Sequence, residues 1–360
     1  IVKLVGVAKS MEDNFALAKF KNDMTHETPL IAINMGAKGK LSRVLNGFMT
    51  PVSHPALPFK AAPGQLSATE IRSGLSLLGE LEPQNYYLFG KPISASRSPA
   101  LHNKLFEKNG LADVYDLFET DVAQDIEQLL KSETFGGASV TIPLKLDVIP
   151  LLDNLSEAAK IIGAVNTISK VRSSTDSTTL FGDNTDWIGI KKTLAAAGAQ
   201  LGSGLVIGSG GTSRAAIFAL QSMGFSPIYI VARSPAKVDE LVESFPGLVH
   251  IRTAEEAQSL GSLPTVAIGT IPSSKPIDAG IREVLVSIFH HKGAGDAQRI
   301  LLEMAYTASS TTALMNMATD AGWTSIEGVE ALIWQGLEQF RIWTGISPEY
   351  KDARAAVIGE

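Results

Sequence analysis

A short apolar stretch that runs into a glycine turn constrains this chain more than any other feature. Residues 204–207 are apolar, Gly208-Ser209-Gly210-Gly211 follows at once, and a helical pattern begins near Arg214. A buried strand that feeds a glycine turn and a helix leaves backbone N–H groups at the helix N-terminus, where a pyrophosphate binds well. Further apolar strands at 228–231 and 265–269 alternate with helices. The pattern predicts a doubly wound α/β domain that binds a dinucleotide, with a plain structural turn as the alternative.

The end of the second strand indicates which nucleotide binds. It reads Val231-Ala232-Arg233-Ser234, and Lys237 follows. An NAD site places an acid here to hold the ribose 2′-hydroxyl, whereas a cation accommodates a 2′-phosphate. Two cations and no acid favour NADP, and a solvated basic turn is the alternative. The predicted cofactor-binding residues are Gly208, Gly210, Gly211, Thr212, Ser213, Arg233, Ser234 and Lys237.

Composition excludes several classes of function. The net charge is −6 and the sequence has no block of Lys or Arg, so we expect no nucleic-acid partner. No apolar run approaches the roughly 20 residues that span a bilayer, so we expect no membrane segment. The absence of cysteine excludes disulfides, thiolate metal sites and a cysteine nucleophile, and suits a reducing compartment. We therefore expect a cytoplasmic protein, and its six scattered histidines predict no metal site.

A lysine and an aspartate are the candidates for proton transfer. Lys145 follows a predicted strand, and Asp186 closes the polar run Gly182-Asp183-Asn184-Thr185-Asp186 after a hairpin predicted over 161–183 with a polar tip at 172–179. A carboxylate that orients an ammonium is a sensible acid–base pair, although a solvated lysine and a helix cap are the plain alternatives. Ser96 and Ser98 stand in a hydroxyl-rich loop that can hold a small polar ligand or cap a helix.

These motifs occur in an order that resembles shikimate dehydrogenase over residues 85 to 360. The segments that carry the resemblance are Gly90-Lys91-Pro92-Ile93, Ser96-Arg97-Ser98-Pro99, His102-Asn103, Val140-Thr141-Ile142-Pro143-Leu144-Lys145, Gly163-Ala164-Val165-Asn166-Thr167, Gly182 to Asp186, the glycine turn and Gln335-Gly336. Ala232 departs from the pattern, because many members of the family have Asn beside the Arg that binds NADP.

The resemblance implies a fold, a reaction and a set of site residues. The fold is a substrate-binding domain over 85–195 and 326–360 plus a NADP-binding Rossmann domain over 196–325. The reaction is reversible reduction of 3-dehydroshikimate to shikimate, with Lys145 and Asp186 as the catalytic pair. The implied substrate-binding residues are Ser96, Ser98, Thr141, Asn166, Gln335 and Tyr306.

Residues 1–82 contain the segments Ile1-Val2-Lys3-Leu4-Val5, Gly39-Lys40-Leu41-Ser42-Arg43 and Ala62-Pro63-Gly64-Gln65. These segments resemble the C-terminal half of a type I 3-dehydroquinate dehydratase. Strand and helix patterns alternate here, as in part of a (β/α)8 barrel, but two or three strands are too few to close one. The resemblance places Lys3 at the Schiff-base position, where burial in an apolar strand would make it nucleophilic, and Arg43 and Gln65 at the substrate. None of the histidines supplies that family's proton shuttle, so we expect no dehydratase activity from this chain alone. The order of the two domains resembles the end of the fungal pentafunctional arom polypeptide.

Two other functions are compatible with the sequence. One is an NAD-dependent quinate or shikimate dehydrogenase, and the other is a sensor similar to the fungal quinate-pathway repressors, which have lost catalysis. The presence of Lys3, Lys145 and Asp186 together argues against a sensor, which has no need of proton-transfer groups. The expected protein partners are a second copy in a homodimer and the other domains of an arom polypeptide.

Overall fold

The structure, a computed structural model, describes residues 1–25, 28–54, 56–59, 62–172, 177–291, 298–305 and 311–359. The chain forms two units. The first contains Ile1–Asn85 and Asn103–Val114, and the second contains Tyr86–His102 and Tyr115–Glu360. In the described part of the chain, no helix is both long and apolar enough to cross a bilayer.

The first unit is built on one βαβ crossover. Its elements are β1 (Val2–Val7), α1 (Glu12–Asp23), β2 (Leu30–Met35), α2 (Lys40–Val44) and α3 (Ala68–Leu77). β1 and β2 pair in parallel, with Lys3 opposite Ile31. The alternation predicted from the sequence is therefore present, but its third strand is reduced to an isolated bridge between Ser53 and Ser67.

β1 is poorly covered for a strand of a parallel sheet. Its apolar side chains are largely exposed, Val2 by 53% and Val7 by 61%, whereas Ala32 and Ile33 of β2 are buried. Strands of parallel sheets are normally covered on both faces. Lys3 shares this exposure. The desolvation expected for Lys3 is therefore absent, because its strand carries no second layer among the described residues.

The second unit contains two sheets, the first of which is mixed. Its elements are β3 (Asn85–Gly90), α4 (Ser98–Lys108), β4 (Val114–Glu119), α5 (Glu127–Leu130), β5 (Phe135–Val140), β6 (Asn154–Leu155), α6 (Glu157–Ile162), β7 (Thr167–Arg172), β8 (Thr178–Asp183) and α7 (Asp186–Ala196). The first unit includes Asn85 of β3, residues 103–108 of α4 and Val114 of β4. The strand order is β4-β3-β5-β7-β8-β6. Buried apolar residues such as Phe89, Phe135 and Ile168 form its core.

The predicted hairpin is present with a shorter first strand. β7 and β8 pair antiparallel from Thr167 opposite Asp183, and residues 173–176 of the tip lie outside the described residues. Residues 161 and 162, predicted as strand, are instead the end of helix α6. Ser156 caps that helix and Gly163, at φ 67°, ends it in the left-handed conformation, so the chain turns before β7 begins.

The second sheet is the parallel, doubly wound one that the glycine turn predicts. Its elements are β9 (Ser203–Ile207), α8 (Gly211–Met223), β10 (Ile228–Val231), α9 (Pro235–Ser244), β11 (Leu248–His250), α10 (Ala254–Gln258), β12 (Pro264–Gly269), α11 (Ala279–His290), β13 (Ile300–Glu303), α12 (Ala313–Asp320) and β14 (Thr324–Glu327). The order β11-β10-β9-β12-β13-β14 reverses direction next to β9. Ligands bind at such a switch point, outside the carboxyl ends of the strands.

The chain then returns to the first sheet. Helix α13 (Gly328–Thr344) contacts α7, β5 and β7, and α14 (Tyr350–Ile358) follows it. Trp343 near the end of α13 donates its indole N–H to the Ile168 carbonyl of β7 at 3.0 Å. This return brings Gln335 and Gln339, both buried on α13, under the first sheet.

An imidazole lies inside an aromatic cluster of the second unit. His102 stacks on Tyr115 with ring centroids 4.6 Å apart, and its ring centroid is 4.9 Å from that of Trp343. Burial lowers the pKa of His102 from 6.5 to about 3, and a hydrogen bond with Gln339 acts in the opposite direction. In the unfolded chain the same group binds its proton near pH 6.5.

We predict that His102 makes the protein less stable in mild acid. A group with a depressed pKa in the folded state contributes stability above pH 6.5 that is lost as the pH falls towards 3. His102→Phe keeps an aromatic ring but removes the titration. The free energy of unfolding of the wild type should therefore fall faster below pH 6.5 than that of the variant, by about 1.4 kcal/mol per pH unit. Urea unfolding of both proteins between pH 5 and 7 measures this, and parallel profiles would contradict it.

Candidate active site

Lys145 and Asp186, 41 residues apart in the chain, form a buried ion pair. Lys145 Nζ donates to Asp186 Oδ2, and the two side chains are 11% and 10% exposed. Lys145 follows β5, where its backbone carbonyl accepts a hydrogen bond from Val165 N–H at 2.7 Å. Asp186 is the first residue of α7, where the helix dipole favours a negative charge. The folded chain therefore joins the two candidates that the sequence could not place together.

The carboxylate is held from its other oxygen as well. Asn166 Nδ2 donates to Asp186 Oδ1 at 2.8 Å. The Asn166 amide is itself fixed, because Thr185 N–H donates to its Oδ1 at 2.7 Å and Thr167 Oγ1 donates to the same oxygen at 2.7 Å. Asp186 can therefore rotate little, and it presents one oxygen to Lys145 and the other to Asn166.

The ammonium has a second partner from the nucleotide side. Lys145 Nζ lies 3.2 Å from Thr212 Oγ1, and Thr212 is the second residue of α8, directly after the glycine turn. A lysine ammonium has three N–H donors, and these two contacts use two of them. The third is available to a ligand in the cavity that Lys145 lines. The pair thus connects the first sheet with the glycine turn of the second.

A polar network that the sequence did not reveal continues from Asn166 into α13. Gln335 Oε1 accepts from Asn166 Nδ2 and from Thr185 Oγ1, each at 3.2 Å. Gln339 Nε2 donates to Thr167 Oγ1 at 3.0 Å. Only Gln335 had been singled out. The available signal was the spacing of Gln335 and Gln339, which puts two amides on one face of the helix, among buried residues that are otherwise apolar.

The network extends further to the strands of the first sheet. Tyr115 Oη donates to Ser139 Oγ at 2.7 Å, and Ser139 Oγ donates to Gln339 Oε1 at 2.9 Å. All three residues are buried. No motif contains Tyr115, and Ser139 begins the segment that leads to Lys145 but has no role assigned from the sequence, because a lone hydroxyl in a strand has no sequence signature of its partner.

A cavity of about 500 Å³ contains the pair. Ser96, Ser98, Thr141, Asn166 and Gln335, predicted to bind substrate, line it together with Lys145, Asp186 and Thr212. Pro272, Ser273, Ser274, Met304 and Ala305, which the sequence did not indicate, line it from the second sheet. Tyr306, also predicted, lies outside the described residues. A cavity of this volume can hold a small polar ligand and, next to it, one end of a larger ligand.

The glycine turn has the geometry of a phosphate cradle. Gly208 has φ 123°, and a Cβ there would lie 2.3 Å from Thr270 Oγ1, so only glycine fits. Helix α8, 13 residues long, begins at Gly211. Ser213 stands where a third glycine is usual and accepts Gly210 N–H at 3.0 Å, which tightens the turn. The open N-terminus of α8 suits a pyrophosphate.

The predicted 2′-phosphate residues follow the strand beside this turn. β10 pairs with β9 and ends at Val231, and Ser234 precedes helix α9, with Lys237 in its first turn. Arg233 and Lys237 are exposed. Two exposed cations next to a phosphate cradle fit a nucleotide with an additional phosphate.

A second buried carboxyl lies behind the cavity wall. Glu303 at the end of β13 accepts Ala305 N–H at 3.0 Å and the Thr312 hydroxyl at 3.1 Å. Burial raises the pKa of Glu303 to about 7, and these two hydrogen bonds act in the opposite direction. Glu303 therefore fixes the backbone of Ala305, which lines the cavity. No sequence motif had indicated it.

Exposure differs among the three dehydratase candidates of the first unit, which are Lys3, Arg43 and Gln65. Lys3 is exposed on β1. Arg43 is only 1% exposed, its Nη2 lies 3.5 Å from the Pro63 carbonyl, and its buried Nε has no hydrogen-bond partner among the described residues. Burial lowers the pKa of Arg43. Gln65 Oε1 accepts Ala62 N–H at 3.2 Å, so Arg43 and Gln65 contact the same loop.

The described residues hold no cluster of three or more His, Asp or Glu side chains that could bind a metal ion. The polar groups of the cavity are instead hydroxyls, amides, one ammonium and one carboxylate. Such a set suits hydrogen bonding and proton transfer to a hydroxylated organic ligand.

Comparisons with known proteins agree with this arrangement. Family models match type I 3-dehydroquinase over residues 1–82, the shikimate dehydrogenase substrate binding domain over 88–168, and the shikimate 5′-dehydrogenase C-terminal domain over 328–358. The dehydroquinate dehydratase and shikimate dehydrogenase structure from S. pombe AroM is 42% identical, with a TM-score of 0.73 over 99% of this chain and 69% of that one.

Two bacterial shikimate dehydrogenases match about three quarters of the chain. The enzyme from Aquifex aeolicus is 30% identical, with a TM-score of 0.62 over 77% of this chain and 98% of that one. The enzyme from Thermus thermophilus, solved in complex with NADP(H) and shikimate, is 28% identical, with a TM-score of 0.61 over 76% and 98%.

Proposed function

This chain belongs to the shikimate dehydrogenase family, and we propose that it interconverts 3-dehydroshikimate and shikimate with NADP, using Lys145 and Asp186 as the catalytic pair. The observation that carries the proposal is their buried contact inside a cavity lined by hydroxyls and amides. The T. thermophilus relative was solved with the same substrate and cofactor.

The cofactor fits the residues that this chain offers. The N-terminus of α8 and the glycines 208, 210 and 211 would hold the pyrophosphate, with Thr212 and Ser213 beside it. Arg233, Ser234 and Lys237 would hold the 2′-phosphate. Bound NADPH supplies the hydride for reduction of the 3-keto group.

The chain itself positions the substrate and moves one proton. Ser96 and Ser98 would hold the substrate carboxylate, and Thr141, Asn166 and Gln335 its hydroxyl groups. Lys145 would donate its free N–H proton to the oxygen on which negative charge develops as the ketone is reduced, and in the reverse direction it would accept the hydroxyl proton. Asp186 holds the ammonium in place and balances its charge. Preorganisation of this kind lowers the barrier because no reorientation is needed during reaction.

The remaining parts of the proposal concern organisation. We assign residues 1–82 to a partial dehydratase barrel, 85–195 with 326–360 to the substrate domain, and 196–325 to the NADP domain. A homodimer and attachment to other arom domains rest on the family resemblance, and a cytoplasmic location rests on the absence of cysteine. Sedimentation would test the homodimer, and cell fractionation would test the location.

We predict that Lys145→Ala lowers kcat for shikimate oxidation by at least a hundredfold while KM changes by less than threefold, because the ammonium acts mainly in the transition state. Asp186→Asn should act in the same direction and also weaken shikimate binding. Reduction of NADP followed at the nicotinamide absorbance measures both. Lys131→Ala, which removes an exposed i,i+4 ion pair with Glu127, is the control. Near-normal turnover by Lys145→Ala would overturn the assignment, and an inactive wild type would favour a sensor.

We predict that Arg233→Ala weakens NADP binding by at least tenfold and changes NAD binding by less than twofold, since only NADP carries the phosphate that a guanidinium can hold. Arg252→Ala is the matched control. Arg252 is also exposed, and it lies two residues after the end of β11, the strand that pairs with β10. Titration of each variant with both nucleotides measures the effect. Equal losses for NADP and NAD would contradict the 2′-phosphate assignment, whereas faster turnover of the wild type with NAD than with NADP would favour an NAD-dependent enzyme.

We predict that the 360-residue chain alone does not dehydrate 3-dehydroquinate. A Schiff-base lysine needs desolvation and a neighbouring base, and Lys3 is exposed on its strand. The assay is dehydration of 3-dehydroquinate, followed by borohydride reduction and mass analysis of the peptide that contains Lys3. Turnover with a trapped adduct at Lys3 would refute the prediction, whereas Lys3→Ala serves as the negative control for trapping.

A further inference from the structure

Arg214 joins three elements of the second unit. It lies in the first turn of α8, directly after Ser213. Its Nε donates to the Ile162 carbonyl at 2.5 Å, and its Nη2 donates to Ser244 Oγ at 3.0 Å. The guanidinium also lies over the Phe245 ring, 5.5 Å from its centroid. None of these contacts belongs to the predicted site, and the sequence marked Arg214 only as part of the glycine-turn motif.

Ile162 is the last residue of α6, and the segment after it controls both members of the catalytic pair. Three residues later, Val165 N–H donates to the Lys145 carbonyl at 2.7 Å. The next residue, Asn166, donates to Asp186 Oδ1 at 2.8 Å. Residues 163–166 thus carry one hydrogen bond to each catalytic residue, and Arg214 fixes their starting point.

Arg214 fits closely against this segment. Gly163 has φ 67°, and a Cβ there would approach Arg214 Nη2 to 3.0 Å. Apolar contacts surround the same junction, where Ala215 packs with Ile162 and Ala164. The carbonyl that Arg214 binds is at the C-terminus of α6, where a positive charge is favoured and the hydrogen bond is charge-assisted.

On the other side, Arg214 is connected to the nucleotide-binding elements. It is two residues from Thr212, which contacts Lys145 Nζ at 3.2 Å. Ser244, its other partner, is the last residue of α9, the helix that begins directly after Arg233 and Ser234. One guanidinium therefore links the phosphate cradle, the helix behind the predicted 2′-phosphate site and the segment that holds the pair.

We propose that Arg214 is a positioning residue for the reduction. It holds Lys145 and Asp186 at a fixed position relative to the glycine turn. The inference rests on the proposed function. Arg214 does not line the cavity. Its loss should therefore affect the alignment of the reacting groups more than the binding of either ligand. A misplacement of about 1 Å can cost on the order of a hundredfold in rate.

Arg299 provides a matched control for a purely structural arginine. Its guanidinium also binds carbonyls at the end of a helix, with Nη2 donating to Ile288 O and Nη1 to His291 O, both at 3.0 Å. It also lies over an aromatic ring, 4.1 Å from the Trp323 centroid. None of its partners lines the cavity. Arg299→Met should therefore lower stability without changing the alignment of the pair.

The experiment compares Arg214→Met, Arg214→Lys and Arg299→Met in steady-state shikimate oxidation with NADP, alongside the Tm of each. We expect kcat of Arg214→Met to fall at least tenfold, with both KM values within threefold of wild type. Arg214→Lys should lose a similar amount, since a single ammonium cannot reach both Ile162 O and Ser244. Arg299→Met should keep its kcat within twofold at a comparable loss of Tm.

The outcomes separate the inference from the function on which it rests. An active wild type with unchanged kcat in Arg214→Met, or with an equal loss of kcat in Arg299→Met, would overturn the positioning role alone. A rise in KM with kcat unchanged would do the same, because it would assign Arg214 to binding. An inactive wild type would overturn the proposed function and the inference together. If Arg214→Met does not fold, the kcat of Arg214→Lys decides.

Discussion

The buried ion pair between Lys145 and Asp186 is the constraint on which the arrangement of the second unit depends. Taking two charges out of water costs several kcal/mol per ion unless each finds a partner and further hydrogen bonds. Asp186 meets this requirement with Asn166 and the N-terminus of α7, and Lys145 with Thr212. These partners come from both sheets of the unit, so the pair is compensated only when the glycine turn and the first sheet meet. A site built this way is complete only in the folded second unit.

The polar network behind the pair extends this requirement into the core. Gln335 and Gln339 are amides on a helix whose other buried residues are mostly apolar, and each is bonded to residues of the first sheet or the start of α7. A buried amide without partners would destabilise the fold, whereas a fully bonded network holds its members in one orientation. Asn166 takes part in both the network and the ion pair. The orientation of Asp186 therefore depends on residues far from it in the sequence, Tyr115 among them.

The sequence predicted those features that local chemistry determines. The glycine turn, together with the strands and helices that alternate after it, predicted the parallel sheet, and the motifs of the family indicated Ser96, Thr141 and Asn166, which line the cavity. It did not predict Tyr115, Ser139, Gln339 or Glu303, since their roles arise from partners far away in the chain. It also placed residues 161 and 162 in a strand, because two isoleucines favour one, although the Ser156 cap and Gly163 end a helix there.

Lys145 and Lys3 show that a matching motif does not by itself make a functional site. A family resemblance indicates a catalytic position for each, and both stand in or next to a strand of an α/β unit. Lys145 is buried, bonded to a carboxylate and a hydroxyl, and directed into a cavity. Lys3 occupies a strand whose neighbours Val2 and Leu4 are themselves exposed. Strands of parallel sheets are normally covered by layers on both faces, and a Schiff-base nucleophile needs such cover because burial favours the neutral amine. The same side chain therefore has the surroundings that our proposed role requires in the second unit, whereas in the first unit it is exposed.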